Sequence, residues 1–507
     1  MSTKVPITNV GAIGVIKDLP DYELPPEAWT DSTGMSFIEG GGVSKRLGTE
    51  SALDVVPPLG EPLWILPGFQ SAYGPYWVYA GTGFLAFTNA GGTTHTSLAA
   101  AVGNTRDERW SGGIFGGVGV FNNVHIDPRM WNVAAGSSSA LTNWPANTKA
   151  RVLRPHGRFL VAGGIIESGT VYAQRVKWSS SAPIGFVPAT WDETDATKDS
   201  REWDLAETGG EIVDMRSLGD TNFIYKTDEI HAMDWIGGVY VFKFARKFGV
   251  GVRAMDCVVE YNKRHYIATP DDVVMHDGFT MESILDNKVR RWYAARTGKS
   301  YMSRSFVGLA RHEMYVALFT AAAVEPSEAL LIDLRTGTCA PITPPGGFAN
   351  FAVGNMYNLE DTTRQEERML FGLGGFYFGD YGGIDDGAPY GPILARVERT
   401  GLTVSGVDRF NAPKSDPRTT KRVSRIWPKV TFRGVGQTLN VYCGAVDNPK
   451  AAYPYEFKLF DPAVAPYVEF DDVVGAYIGV KFENSAYGYW QLDSYDIEMD
   501  VIGQTPA

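Results

Sequence analysis

TNFIYKTDEIHAMDWIGG, residues 221–238, is a β-hairpin written in sequence. A short run rich in aromatic and β-branched residues meets a polar turn, and a second such run ends on paired glycines. The pattern recurs as PYWVYAGTGFLAFTNAGG at 75–92, GGIFGGVGVFNNVHI at 112–126, and GRFLVAGGII at 157–166 followed by YAQRVKWSSS at 172–181. It returns as KRHYIATPDDVVMHDG at 263–278, HEMYVALF at 312–319 with EALLIDLRTG at 328–337, and RMLFGLGGFYFGDYGG at 368–383. With Pro75, Ile114, Arg158, Asn222, Arg264, Glu313 and Arg368 as comparable starts, most intervals fall at ~40–50 residues, the period of propeller blades. The expected fold is all-β, a β-propeller of six to eight blades over 61–390, with an additional C-terminal β-rich domain. No WD40 signature marks the blades.

Composition agrees. The 57 glycines are about 11% of the chain against a usual ~7%, and 26 Phe, 24 Tyr and 13 Trp supply side chains that suit a half-buried pleated surface. The polar stretch TWDETDATKDSREWD, 190–204, reads as an inserted loop. One helix is expected near 280–296, with Thr280 as N-cap, Glu282 in its first turn and Gly298 at its end. Its apolar face would be Met281, Ile284, Leu285, Val289, Trp292 and Tyr293. Residues 1–60, turn-rich and broken by Pro25 and Pro26, would pack on or close the propeller, with glycines 40–42 turning between two short strands. From 391 to 507 a separate strand-rich domain is expected, its last strand alternating through Tyr495, Ile497, Met499 and Val501.

No catalytic, cofactor-binding or metal-binding residue is assigned. The histidines at 95, 125, 156, 231, 265, 276 and 312 never take a metal-ligand spacing, and HEMYV at 312 lacks the second histidine of a zinc protease. His265 and His276 lie on opposite strands of one hairpin and could approach each other, although core or turn roles suit them better. Asp380, Asp385 and Asp386 in DYGGIDDGAPYG could ligate a hard cation but read as a solvated turn. Asp271, Asp272, Asp471 and Asp472 form adjacent acidic pairs at turns, and only their meeting in space would make a hydrolase. GGIFGGVG at 112–119 lacks a lysine and a following helix, so it is a hairpin turn, not a phosphate loop. The basic runs NKVRRWYAARTGK (287–299) and RFNAPKSDPRTTKRVSRIWPK (409–429) could face nucleic acid or an acidic partner subunit, with subunit contact ahead of DNA, but read first as solvated faces.

The net charge of -12 argues against a surface that grips nucleic acid; it reads first as an acidic surface for solubility, and it would also suit one past which DNA slides. Cys257, Cys339 and Cys443 are odd in number and far apart, so buried thiols are expected, not disulfides or zinc ligands. The N-terminus MSTKVPITNVGAIG lacks the features of a secretory signal, and no apolar run approaches the ~18 residues of a membrane span.

ELPPEAWTDSTGMSFIEGGGVSKRLGTE, 23–50, resembles the start of short-tailed phage structural proteins through Leu24, Pro25, Pro26, Trp29, Phe37, Gly42, Lys45, Arg46 and Gly48. WSSSAP at 178–183, the stretch 203–237, ARVERTGL at 395–402 and YWQLDSYDIEMD at 489–500 look similar too. The resemblance implies a bacteriophage tail nozzle, or packaged-DNA stabilisation, β-propeller family. Such subunits form a hexameric ring below the portal and adaptor that lines or closes the DNA exit channel. The expected partners are copies of itself, portal–adaptor proteins, tail fibre or tailspike proteins, and double-stranded DNA in transit without sequence-specific binding. The expected location is the virion, after assembly in the bacterial host cytoplasm, with no enzymatic activity and no cofactor. The alternative is a carbohydrate-binding or carbohydrate-cleaving β-propeller that recognises a host receptor, since aromatic faces stack on sugars. A cellular interaction scaffold is a third reading.

Overall fold

The computed structural model of the chain describes residues 2–504 apart from 39, 52–58, 71–72, 90–93, 297–298, 321–322, 324–325, 345–350, 358–364, 373–375, 382–383, 386–390, 434–436 and 487. Strands take 55% of it and helix 3%, which makes the fold all-β.

Six consecutive four-stranded antiparallel meanders follow one another along the chain. Blade 1 runs from Trp64–Gln70 to His95–Ala100, blade 2 from Ser111–Phe115 to Ser139–Ala140, and blade 3 from Thr148–His156 to Arg201–Asp204. Blade 4 runs from Ile212–Leu218 to Val241–Phe248, blade 5 from Val258–Tyr261 to Met281–Ser283, and blade 6 from Val307–Ala310 to Cys339–Ile342. Blade 7 has only three strands of its own order, Phe351–Tyr357, Gln365–Gly372 and Phe376–Tyr381. Its fourth is Gly48–Ser51, which pairs antiparallel with Phe376–Tyr381. The beginning and end of the propeller thus share one sheet, which ties the chain's start to its last blade and covers the outer edge of Phe376–Tyr381. The first strand of blade 7 packs against those of blades 6 and 1. Leu66, Gly112, Arg154, Ser217, Val259, Leu309 and Ala352, one from each first strand, line a single central channel.

Aromatic side chains stitch neighbouring blades. Trp64, Trp110, Phe121 and Trp131 bury together between blades 1 and 2. Trp178 and Phe242 meet at 5.4 Å between blades 3 and 4, above a core of Val152, Val161, Ile212 and Met215. The polar stretch near 190–204 does lie largely in a strandless excursion, 179–200, between the third and fourth strands of blade 3.

The second unit is a sandwich of two sheets built from both chain ends. One sheet orders Met35–Phe37, Val43–Lys45, Tyr489–Gln504, Thr419–Arg433 and Val468–Gly475, with Thr3–Ile7 also pairing on Tyr489–Gln504. The other orders Asp31–Thr33, Ala395–Leu402, Tyr477–Asn484, Leu439–Val446 and Glu456–Phe460. The N-terminal segment therefore divides its work: 3–45 supplies four sandwich strands, and 48–51 closes the ring. The segment 391–507 is not a domain by itself, because the buried core of the sandwich needs Val5, Ile7, Trp29, Met35 and Phe37 beside Ile426, Phe482 and Ile497. Gly40 and Gly41, at φ 105 and 104, turn the hairpin between Met35–Phe37 and Val43–Lys45 in a region closed to side-chain-bearing residues.

The residues carrying the N-terminal resemblance hold these joints. Arg399, almost fully buried, donates to the carbonyls of Asp21, Leu24 and Pro25, and so satisfies a proline-broken segment that makes no sheet. Lys45 is buried and donates to the Ala486 carbonyl, and burial pushes its ammonium down to about 8. Arg46 reaches the Tyr315 hydroxyl of blade 6 at 2.9 Å.

The helix expected near 280–296 is a correction. Met281–Ser283 is the fourth strand of blade 5, paired on Val273–His276, and only Arg290–Ala294 is α-helical. Thr280 is no N-cap: the Asp277 carboxylate accepts the Phe279 and Thr280 N–H groups and turns the chain back onto the blade. Covering the edge of Val273–His276 outweighs a helical apolar spacing. The helix start is held instead by Asp18, whose carboxylate accepts the N–H groups of Arg290 and Arg291 at 2.8 and 3.0 Å. Gly298 lies outside the described residues.

Candidate functional site

The central channel is small and charged. Its volume is about 450 Å³, the scale of a small-ligand pocket and not of a nucleic-acid tunnel. On one side of it, blades 3 and 4 and the linker to blade 5 converge on an ionic lock. Arg154, 7% exposed, forks onto Asp214 with Nε–Oδ1 at 2.9 Å and Nη2–Oδ2 at 3.2 Å. The same Nη2 lies 2.7 Å from Asp256, which also takes Arg216 at 2.7 Å. Asp214 follows a register slip after Ile212, a bulge that turns its carboxylate to blade 3. Burial alone would raise the Asp214 carboxyl, but Arg154 and Arg216 outweigh it and hold the group below the usual carboxylate range. Asp256, at φ 60, returns its own N–H to Asp214 at 3.0 Å. The lock ties blades 3 and 4 and the linker to blade 5 together.

His265 and His276 do meet. They are directly opposed in blade 5, with ring centroids 5.4 Å apart. Tyr225 of blade 4 bridges them, with its hydroxyl 2.6 Å from His265 Nδ1 and 3.0 Å from His276 Nε2. The network sets the tautomers. Gly278 N–H donates to His276 Nδ1, so His276 Nε2–H donates to Tyr225; Tyr225 donates to His265 Nδ1, and His265 Nε2–H donates to the Ser217 carbonyl. Each ring nitrogen and hydroxyl of this relay has a hydrogen-bond partner, and the relay forms a seam between blades 4 and 5.

Burial pushes His265 down to about 3, with His276 adding to the effect, and Asp214 and Arg216 act on it with opposite signs. Burial pushes His276 down to about 4 against a raising effect of Asp277. A histidine depressed in the folded state binds fewer protons there than in the unfolded chain. Stability from these residues is therefore full above pH ~6.5 and falls as pH drops toward 4, by up to ~1.4 kcal/mol per unit for each. Urea midpoints between pH 7 and 4.5 should show this loss. The double variant His265→Gln, His276→Gln should flatten the slope; an unchanged slope would remove the histidines from the acid response.

The remaining sequence candidates are dispersed. Asp272 is buried and pairs with Arg290 and Ser283, and burial raises its carboxyl. Asp271 is its exposed neighbour, and Asp471 and Asp472 stand exposed on a sandwich strand, Val468–Gly475, so these acids form no site. Asp386 and the side chains of Asp380 and Asp385 lie outside the described residues. GGIFGGVG is the first hairpin of blade 2. In the basic run at 287–299, Arg290 pairs with Asp272, Arg296 pairs with Glu328, and Lys288 donates to the Gly337 carbonyl. In the run at 409–429, Lys421 is buried on two carbonyls, Arg425 pairs with Glu469, and Lys429 pairs with Asp496. Cys257, Cys339 and Cys443 are free and buried, and burial pushes the first two thiols up to about 12. Among the described residues, no group of three or more His, Cys, Asp or Glu is placed to hold a metal ion. No helix of the described residues is long and apolar enough to cross a membrane.

What sequence reading missed is a rim groove between blades 3 and 4. Of 13 tryptophans, eight are buried, and Trp203 and Trp235 alone are more than half exposed. Trp203, on the outer strand of blade 3, lies parallel to Phe244 of blade 4, at 6.2 Å and 4°. With Tyr240, Ile236 and Val239 it borders a half-open cavity of about 570 Å³ floored by Trp178 and Phe242. The hairpin that presents Tyr240 holds Val241 at φ 58, an unusual conformation for a β-branched residue. The only signal in the sequence is a WIGGVYV turn too apolar for its place.

Compared with known proteins, the sequence matches no protein-family model and no curated protein.

Proposed function

We propose that the chain is a structural, non-catalytic subunit of a bacteriophage tail, of the nozzle type, which assembles as a ring below the portal and adaptor and lines or closes the DNA exit channel. The observation that carries this reading is bulky apolar surface left in solvent on both units. Ile184 and Phe186 in the blade 3 excursion, Phe279 at the outer turn of blade 5, and Phe410, Phe457 and Leu459 on the sandwich are each more than half exposed. Single exposed apolar residues are ordinary, but paired ones beside an open edge fit subunit contacts. Phe457 and Leu459 stand on Glu456–Phe460, an edge strand that a neighbouring copy would cover. The resemblance of 23–50 to phage structural proteins supports the same reading, and its residues have joint-holding roles in this chain.

DNA would not use the propeller's own channel, which is ligand-sized and walled by the Arg154–Asp214 lock. It would run along the axis of the assembled ring, where a chain of net charge -12 offers no deep trap for phosphates. Incubating the protein with a portal–adaptor complex and imaging by electron cryomicroscopy should add one six-fold tier below the adaptor. Unchanged portal–adaptor projections with the protein left free in solution would overturn the reading.

A further inference from the structure

Two apolar turns, one on each unit, carry opposite charge. The first belongs to the blade 3 excursion. Its turn at 183–186 is seated on blade 2, where the Gly185 N–H donates to the Gly116 carbonyl at 2.8 Å. It lifts Ile184 and Phe186 to 87% and 65% exposure. The same excursion, 179–200, holds four carboxylates against one lysine. Lys177 takes Glu193, while Asp192, Asp195 and Asp199 form no ion pair among the described residues. Hydrogen bonds from Thr194 and Thr197 hold the Asp192 and Asp195 carboxyls below the usual range, so both stay charged.

The second is a hairpin of the sandwich, Val404–Val407 paired with Pro413–Ser415. The Asp408 carboxylate accepts the Phe410 and Ala412 N–H groups at 2.8 and 2.9 Å and fixes the tip. Phe410 is left 74% exposed there. The Arg409 guanidinium lies over the Phe410 ring at 4.6 Å, and Lys414 and Arg418 follow, both exposed. None of these three cations is ion-paired among the described residues. The sandwich meets the propeller at blade 6, where Asp31–Thr33 and Met35–Phe37 pack on Cys339–Ile342. In a ring of seven blades, blade 3 stands across from the joint between blades 6 and 7. The two turns therefore cannot meet within one chain.

We propose that the hairpin tip of one copy docks on the blade 3 excursion of the next, Phe410 against Ile184 and Phe186, and its cations against Asp192, Asp195 and Asp199. The inference rests on the ring reading for its second copy and adds which surfaces meet. A closed ring needs a head-to-tail contact between two different patches of the same chain. An apolar centre flanked by opposite charges is the make-up of a specific protein interface. Both tips are held by their own hydrogen bonds, which lowers the ordering cost of docking. Nucleic acid would use the cations but leave Phe410 in water, and it gives the acidic excursion no role.

The test is a charge exchange on the full chain, read by mass photometry alone and with a portal–adaptor ring. One chain carries Asp192→Lys with Asp195→Lys, the other Arg409→Glu with Lys414→Glu. Each by itself is expected to need at least about tenfold more protein to assemble, because like charges then face each other across the contact. An equimolar mixture is expected to assemble as the parent does, since each reversed patch meets its complement on the other chain. That recovery excludes misfolding as the cause of the loss. Undiminished assembly of either reversed chain, or a mixture that does not recover, would overturn the inference, and rings formed by the parent would leave the ring reading standing. Self-assembly kept but binding to the portal–adaptor ring lost would give the turn to that partner and overturn it too. A parent that forms pairs or open chains, lost and recovered in the same way, would support the contact and count against the ring reading. A parent that stays monomeric under both conditions would overturn both.

Discussion

Asp214→Ala is expected to destabilise the propeller by about 3–5 kcal/mol, the range for removing one partner of a buried ion pair. Its side chain has no exposure, and its loss leaves Arg154 with Asp256, a carboxylate already shared with Arg216. Two backbone donors lose their acceptor as well, the N–H groups of Met215 and Asp256. The sharper comparison is with the double variant Asp214→Leu, Arg154→Met. Removing both charges also removes the unpaired one, so the double variant should lose less than the single despite carrying an extra substitution. Urea denaturation followed at a blade 3 or blade 4 probe reads both. A double variant as unstable as the sum of the two single ones would mean that the lock contributes as separate contacts, not as one charge-balanced unit.

Trp29→Ala is expected to cost about 3–5 kcal/mol, the usual range for emptying a large buried aromatic site. Trp29 is 1% exposed, meets Phe482 at 6.3 Å and Tyr495 at 6.2 Å, and donates its indole N–H to the Val10 carbonyl. It comes from the N-terminal segment yet touches one strand of each sandwich sheet. The loss should therefore appear as lowered hydrogen-exchange protection across Tyr489–Gln504 and Tyr477–Asn484, with blades 2 to 4 unchanged. Uniform loss across the propeller would contradict a sandwich that depends on the N-terminus for its own core. Undisturbed protection in both sandwich strands would do so equally.

The hairpins were legible because turn chemistry and β-rich runs are local properties. Residues 221–238, 263–278, and 312–319 with 328–337 lie on the expected strand pairs. The longest interval, from Arg158 to Asn222, contains the strandless excursion 179–200 of blade 3, which the polar composition of 190–204 foreshadowed. The strand at Met281–Ser283 was illegible because pairing to Val273–His276 overrode a helical apolar pattern. Asp18 capping Arg290 spans more than half the chain, and no local pattern encodes such a contact. The same holds for Gly48–Ser51 completing blade 7 and for Thr3–Ile7 pairing with Tyr489–Gln504. Opposition of His265 and His276 was readable from hairpin geometry, but their bridge, Tyr225, belongs to another blade. The rim groove stayed hidden for a similar reason. Burial of eight tryptophans had to be known before the exposure of Trp203 carried meaning.

The central claim, a ring-forming structural subunit, is tested most directly by mass photometry of the purified chain, alone and mixed with a portal–adaptor ring. The account predicts a discrete species near six subunits, formed either alone or only on the ring, and the difference shows whether assembly is templated. A single 55.4 kDa particle under both conditions would contradict it.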